Sequence, residues 1–355
     1  MTKTKIGVAM SGGVDSAVSA ALLIKQGYDV IGIFMKNWSD PIDEKGYCRW
    51  IDDQLNARQV AEKLNIPFYT FNFEKEYKER VLDYFLKEYR LGRTPNPDVM
   101  CNKEIKFDLF LNKAKELDVE LIATGHYARV QKIDEKYHLY RGVDDNKDQS
   151  YFLWTLGQEQ LRHCIFPVGD LKKPEVRKIA LELDLQNAKR KDSQGICFIG
   201  PVEVYNFLKK YIPSKKGFIK NTSGKIIGEH DGIYYYTIGQ RKGLDLGKLS
   251  GIKRAPMYIK KIDCHNNEII VAPHDELFFD QITALDCMWV NDAVNVGDTV
   301  DLQVRYRQNP VVGTVVSLQR NKISVKLKEQ IWAVTSGQSL VVYRGDELLG
   351  GGIIE

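Results

Sequence analysis

Two serines, two glycines and an aspartate stand in the order Ser11-Gly12-Gly13-Val14-Asp15-Ser16, between the apolar run Ile6-Gly7-Val8 and the small apolar residues 17–23. The order predicts strand, glycine turn, helix. Gly12 and Gly13 let the backbone fold back and bring its N–H groups close to an anion, and Ser11 and Ser16 add hydroxyl donors where the following helix presents its positive end. Ala9, Met10 and residues 11–16 therefore read as a phosphate cradle. The stretch lacks both the lysine of G-x-x-x-x-G-K-[ST] and the third glycine of the dinucleotide fingerprint. A ligand-free glycine turn is the plainer reading of Gly-Gly alone. The serines, the aspartate and the position after the first strand outweigh it.

Two cysteines have surroundings that could make them reactive. In Arg93-Thr94-Pro95-Asn96-Pro97-Asp98-Val99-Met100-Cys101-Asn102 the prolines predict a stiff non-helical turn ahead of a helix starting near Lys103. Asp98 and Cys101 would sit on that platform, where a helix dipole favours a thiolate. An inert buried thiol is the ordinary alternative. Cys197 lies in Gly195-Ile196-Cys197-Phe198-Ile199-Gly200, after the cluster Lys189-Arg190-Lys191; positive neighbours would lower its pKa, whereas a core-filling thiol is the plainer choice. The six cysteines, at 48, 101, 164, 197, 264 and 287, form no C-x-x-C pair. That argues against a zinc ribbon, a thioredoxin-type motif or a secreted disulfide framework.

The elements that must position these residues follow from periodicity. From residue 5 to about 128, β-type runs alternate with amphipathic segments, which predicts an α/β fold with a doubly wound, mostly parallel sheet. Ligands of such sheets sit beyond the carboxyl ends of the strands, where the glycine loop, the segment after Met35 and Gly125-His126-Tyr127 converge. Residues 36–53 form a long polar loop whose acids could hold Mg²⁺, although a solvated charge run is plainer. After about 210, runs such as Gly232-Ile233-Tyr234-Tyr235-Tyr236-Thr237, Met257-Tyr258-Ile259 and Glu268-Ile269-Ile270-Val271 predict a small β-rich middle domain. Alternation over Val300–Tyr306, Val312–Val316 and Lys322–Leu327 predicts a terminal β-barrel. The expected divisions are 1–210, 211–276 and 277–355.

A chain of 355 residues with 43% apolar composition fits two or three soluble domains, with no run long enough to cross a bilayer and no membrane partner expected. Met1-Thr2-Lys3-Thr4-Lys5 leads straight into the first strand, leaving no room for a signal peptide, so a cytoplasmic location is expected. A net charge of +4 is not that of a general nucleic-acid coat. Lys209, Lys210, Lys215, Lys216, Lys220, Arg305, Arg307 and Arg320 could still track phosphates of a folded RNA, solvated lysines being the default.

The glycine loop resembles the pyrophosphate loop of enzymes that adenylate a substrate with ATP. With Thr94–Asp98, Cys101-Asn102, Ala123-Thr124-Gly125-His126-Tyr127-Ala128-Arg129, Lys147-Asp148-Gln149-Ser150, Gly195–Gly200, Thr237-Ile238-Gly239-Gln240-Arg241-Lys242-Gly243-Leu244 and Leu349-Gly350-Gly351-Gly352-Ile353-Ile354-Glu355, it closely resembles, in order and over nearly the whole chain, the tRNA-specific 2-thiouridylases of the pyrophosphate-loop ATPase superfamily. Asp245-Leu246-Gly247-Lys248 departs from the more glycine-rich turn expected there. The resemblance implies that ATP with Mg²⁺ is held by residues 9–16, with Met35 and Gly125 around the adenosine, and that AMP activates the C2 oxygen of a wobble uridine. It implies a persulfide on Cys197, with Cys101 as its partner, either attacking the inner sulfur to release sulfide or joining it in a transient disulfide as AMP departs, and Asp98 as base for the N3 proton in a pocket lined by Asn96, Pro97 and Asp98. His126, Lys147, Asp148, Gln149, Arg305, Tyr306 and Gln338 would contact the tRNA. A cysteine desulfurase or persulfide carrier would supply sulfur, and no protein-held metal is expected. Two rivals remain: a small-metabolite ligase, which needs neither cysteine, and a non-catalytic RNA-binding protein, which needs no ATP loop.

Overall fold

The computed structural model describes residues 3–39, 48–192, 204–244, 246 and 256–355. Five parallel strands form the first sheet: β1 (Lys5–Ala9), β2 (Asp29–Lys36), β3 (Phe68–Asn72), β4 (Leu121–Ala123) and, after two strands that belong elsewhere, β7 (Cys164–Ile165). Their order is β3-β2-β1-β4-β7, with β1 pairing Lys5↔Asp29 to Ala9↔Ile33 on one side and Ile6↔Leu121 to Val8↔Ala123 on the other. The doubly wound sheet expected from the alternation is present. β2 reads as an unbroken apolar run because both of its faces are covered.

The pleat sorts its residues. Val30 and Phe34 join a core with α1 (Val14–Lys25), α2 (Arg49–Lys63) and the helix Lys173–Glu182. Ile31, Ile33 and Met35 join the opposite core, under the helical rods 74–90 and 97–115.

Three sequence expectations need correction. The helix expected near Lys103 begins at Pro97. Asn96 is its N-cap, its side chain accepting from the N–H groups of Asp98 (3.2 Å) and Val99 (3.3 Å). A proline at the first helical position loses no hydrogen bond and arrives with a helical φ, so only residues 94–96 form the stiff turn. Asp98 consequently lies in the first turn, and Cys101 one turn further along, fully buried. The run Gly232–Thr237 is not a strand. Gly232 has φ +154° and Ile233–Tyr235 coil into a 3₁₀ turn. A strand would send successive side chains to opposite faces, whereas Ile233, Tyr235 and Tyr236 are all buried, with the Tyr235 hydroxyl donating to the Ile212 carbonyl (2.6 Å). Finally, the strand expected to run to Tyr306 stops at Gln303, and Arg307 has φ +63°.

The middle sheet contains β8 (Gly217–Asn221), β9 (Ile226–His230), β10 (Met257–Asp263) and β11 (Glu268–Pro273), in the order β10-β11-β8-β9. Six further strands, β12 (Phe278–Trp289), β13 (Thr299–Gln303), β14 (Val311–Gln319), β15 (Lys322–Trp332), β16 (Ser339–Arg344) and β17 (Glu347–Ile354), pair in the order β12-β15-β14-β13-β16-β17. β17 then pairs back onto β12, which closes the barrel. The hairpin β5 (Ala128–Ile133) and β6 (Lys136–Arg141) leaves the first sheet and adds to the barrel at Leu139↔Leu348.

Side chains bolt the same seam. Trp154 Nε1 donates to Ser339 Oγ (2.9 Å) and the Tyr151 hydroxyl to the Ser339 carbonyl (3.1 Å). The Thr94 N–H donates to the Ser336 carbonyl (2.9 Å), and Gln338 Nε2 to the Thr94 carbonyl (2.8 Å). The barrel thereby fixes the turn that starts the 97–115 helix. No helix among the described residues is long and apolar enough to cross a membrane.

Candidate active site

The glycine loop is shaped from inside and from behind. Gly12 has φ +76°, and a Cβ there would lie 2.3 Å from the Asp53 carbonyl oxygen, so glycine is required by conformation and by space. Ser16 Oγ donates to the Gly13 carbonyl (3.1 Å) and accepts from the Ser11 N–H (3.2 Å), closing the turn on itself. From behind, Asn187 Nδ2 donates to the carbonyls of Gly12 (3.1 Å) and Gly13 (3.0 Å), and Arg190 Nη1 to that of Gly12 (3.0 Å). Arg190 in turn pairs with Asp53. With these carbonyls taken up, the peptide planes are set. Gly125, just beyond β4, lies directly against the loop: its Cβ would sit 2.7 Å from the Ser16 nitrogen. Met35 is buried at the end of β2, and the Met10 N–H donates to the Ile33 carbonyl (2.9 Å).

An anion cradle that contains a carboxylate must neutralise it. Lys173 Nζ reaches both oxygens of Asp15, at 2.6 and 2.8 Å, and the Tyr127 hydroxyl donates to Oδ1 at 2.7 Å. The lysine is buried and also touches Asp192 Oδ1 (2.9 Å), to which Arg177 (2.8 Å) and Lys147 pair as well. Burial pushes the Tyr127 phenol far up, and the Asp15 charge adds to the shift, so it is a fixed donor. Burial alone would raise the Asp192 carboxyl, but the Lys147 and Lys173 bonds and charges outweigh it and hold the pKa at about 2.

The second half of the site is the start of the 97–115 helix. Asn102 Nδ2 donates to the Phe152 carbonyl (3.0 Å), which anchors the turn after Cys101. Ala9, Met35, Val99 and Cys101 belong to one packed core, which also takes in residues of the middle sheet and of the barrel. Cys197 and its neighbours 195–200 lie outside the described residues, as do Asp245, Gly247 and Lys248.

The residues expected to contact RNA are engaged within the protein. His126 is 8% exposed, with Nδ1 2.6 Å from Thr124 Oγ1 and its ring against Phe107 and Phe166. Burial, aided by the Lys106 charge, drops its pKa well below the usual histidine range and leaves the ring neutral. Asp148, equally buried, accepts from the N–H groups of Gly142 and Ser150 (3.0 Å each), from Ser150 Oγ (3.0 Å) and from Arg141 Nη1 (2.9 Å). Gln149 Oε1 accepts from the Tyr127 N–H (3.1 Å). Arg305 donates to the Ala333 carbonyl, and Tyr306 packs on Phe152 with centroids 4.5 Å apart. Gln338 holds the turn before Asn96. Tyr306 and Gln338 reach across from the barrel to Phe152 and Thr94.

Sequence reasoning missed Lys173 and Asn187 altogether and gave Arg190 only to the surroundings of Cys197. Lysine at a helix start and asparagine in a loop carry no motif; their partners are 158 and 175 or fewer residues away in sequence.

Comparison with known proteins covers the whole chain. Residues 4–201 match the family model described as tRNA methyl transferase HUP domain, 205–273 the tRNA methyl transferase PRC-barrel domain, and 279–354 the Aminomethyltransferase beta-barrel domain. A "tRNA-specific 2-thiouridylase MnmA" of Buchnera aphidicola subsp. Acyrthosiphon pisum is 49% identical over 356 residues, covering 99% of this chain and 96% of the relative. The protein of that name in Bacillus cytotoxicus is 48% identical over 357 residues, covering 99% and 95%. A solved 4-thiouridine synthetase–RNA complex with bound ATP aligns over 58% of this chain and 50% of its own, at 19% identity and a TM-score of 0.33.

Two outcomes follow from this geometry. Gly125→Ala drives a methyl group into the Ser16 nitrogen and should weaken adenine-nucleotide binding by about tenfold or more, since a misplaced contact of this kind costs upwards of ~1.4 kcal/mol; calorimetric titration of folded variant and parent checks it. For Asp192 the folded pKa of about 2 lies below the ordinary 3.8. Its stabilising share is complete above about pH 4 and is lost as pH falls through about 2. Urea midpoints followed from pH 7 to 2 should therefore start lower in Asp192→Asn and show a flatter acid limb than the parent.

Proposed function

Since the chain belongs to the tRNA-specific 2-thiouridylase family and is a tRNA-uridine 2-sulfurtransferase, we propose that its two half-sites divide the reaction, the glycine loop activating the uridine and the Asn96–Cys101 segment receiving the base and delivering sulfur. The observation that supports this reading is the shared core to which Ala9 and Met35 of the sheet and Val99 and Cys101 of the helix all contribute.

A uracil C2 oxygen is a poor leaving group. ATP bound in the loop supplies the AMP group that makes it a good one. The fit is that of a cradle: glycine stands where a side chain would fill the space, at Gly12 and Gly125, and Ser11 and Ser16 flank it. Residues 9–16 would hold the phosphates, Met35 and Gly125 would border the adenosine, and Mg²⁺ would enter with the nucleotide. Lys173 keeps Asp15 from repelling the phosphates.

Asn96, Pro97 and Asp98 would receive the base, which leaves the loop of a tRNA more readily than it would leave a duplex. Asp98 would take the N3 proton. The terminal sulfur of a Cys197 persulfide then bonds to C2 as AMP departs with the C–O bond electrons. Cys101, as thiolate, attacks the Cys197 sulfur; the old S–S bond breaks, C2=S remains on the base, and a Cys101–Cys197 disulfide forms. Two electrons from an external thiol restore the pair, which suits a reducing cytoplasm. A cysteine desulfurase or a persulfide carrier would reload Cys197. We take residues 1–210 as the catalytic unit, with 211–276 and 277–355 as the parts that shape the tRNA seam around His126, residues 147–149, Arg305, Tyr306 and Gln338.

Nucleoside mass spectrometry of unmodified tRNA incubated with ATP-Mg, cysteine and a desulfurase tests the assignment. Cys197→Ser and Cys101→Ser should each lower 2-thiouridine to below about 1% of the parent, as expected for residues acting as a unit, while tRNA-dependent AMP formation continues. Full product formation in either variant contradicts the assigned role.

A further inference from the structure

Asn37, immediately after β2, is 1% exposed, yet among the described residues neither its Nδ2 nor its Oδ1 has a hydrogen-bond partner. A buried amide with both ends unpaired is costly, and native structures retain one for a reason: a bound water or ion, stored strain or a functional role. Its neighbours are fixed. The Phe73 N–H donates to the Lys36 carbonyl (2.8 Å), Lys36 Nζ pairs with Glu74 (2.7 Å), and the Trp38 ring meets those of Tyr77 and Phe207. The pleat of β2 puts Ile31, Ile33 and Met35 in one core and Val30 and Phe34 in the other. By the same alternation Asn37 falls on the Met35 side, at the carboxyl edge.

An amide offers one donor and one acceptor side by side. Adenine offers the complement, an N6 donor beside a ring-nitrogen acceptor, and asparagine is a recurrent partner of that edge. We propose that Asn37 is a specificity-determining residue that reads the adenine edge of ATP. The inference rests on the reading that the adenosine lies beside Met35. A lysine or arginine at this position could only donate, and a leucine could do neither.

The test uses the full-length enzyme with Asn37→Leu, which keeps the volume and removes the unpaired amide, and Asn37→Ala as a second variant. KM is measured for ATP, for ITP, whose six-position carries an acceptor in place of the donor, and for tRNA, together with the thermal midpoint without nucleotide. Asn37→Leu should raise KM for ATP about tenfold or more, bring the ATP-to-ITP preference close to unity, and leave KM for tRNA unchanged. Its midpoint should be unchanged or higher, because an orphaned amide has been replaced by an apolar group of the same size. If the leucine variant does not fold, the alanine variant must show the same kinetic pattern.

An unchanged ATP-to-ITP ratio overturns the proposal. So does a raised KM for tRNA in place of ATP, which would assign the amide to the uracil, and so does a lowered midpoint with normal ATP kinetics, which would make it structural. A parent enzyme that forms 2-thiouridine without ATP would instead defeat the ATP reading itself.

Discussion

The arrangement depends on one charge constraint: the loop shaped for an anion contains Asp15. Left alone, that carboxylate would oppose any phosphate brought to the loop. Lys173 answers it with two contacts of 2.6 and 2.8 Å from a buried position, and Tyr127 adds a third. An ion pair of this kind adds little net stability, because desolvation offsets attraction; its value is in fixing which groups meet. Here it fixes α1, which carries Asp15, against the helix Lys173–Glu182. Through Asp192 it also reaches Lys147 and Arg177, on the turn before Asp148 and on the same helix as Lys173. The phosphate loop and the polar turn at 144–149 therefore share one network and cannot shift independently.

The barrel has a comparable role on the other side of the site. It is closed by pairing of β12 with β17 at residues 350–354, and the start of β17, beyond that pairing, receives the hairpin 128–141 from the α/β part. Its loop at 336–338 holds the backbone of Thr94 and Pro95, directly before the Asn96 cap. The start of the 97–115 helix is thus set by groups some 240 residues away in sequence. Gln338, Asp148 and His126 are bonded within this framework, to Thr94 and Pro95, to Gly142, Ser150 and Arg141, and to Thr124.

The parallel sheet and the glycine loop were legible in the sequence because each rests on local chemistry: doubly covered strands need apolar runs, and a backbone at φ +76° needs glycine. Pro95-Asn96-Pro97 misled, since a proline that ends helices also begins them, and Asn96 is a cap only in view of the N–H groups of Asp98 and Val99. Tyr234-Tyr235-Tyr236 has the composition of a strand but coils because its neighbours bury consecutive residues. Lys173, Asn187 and the hairpin's exchange into the barrel were invisible, being defined wholly by distant partners. Asn37 was unremarkable as a letter in a polar loop; that its amide is buried, with no partner among the described residues, shows only in three dimensions.

The central claim is that the loop makes the C2 oxygen of the uridine leave on AMP. Transfer of ¹⁸O tests it most directly. A tRNA carrying ¹⁸O at C2 of its wobble uridine is converted by the enzyme with ATP-Mg and a persulfide source, and the released AMP is weighed by mass spectrometry. The account predicts one ¹⁸O in AMP for each 2-thiouridine formed. Unlabelled AMP accompanying full thiolation would contradict it, because the oxygen would then have left by a route the glycine loop does not provide.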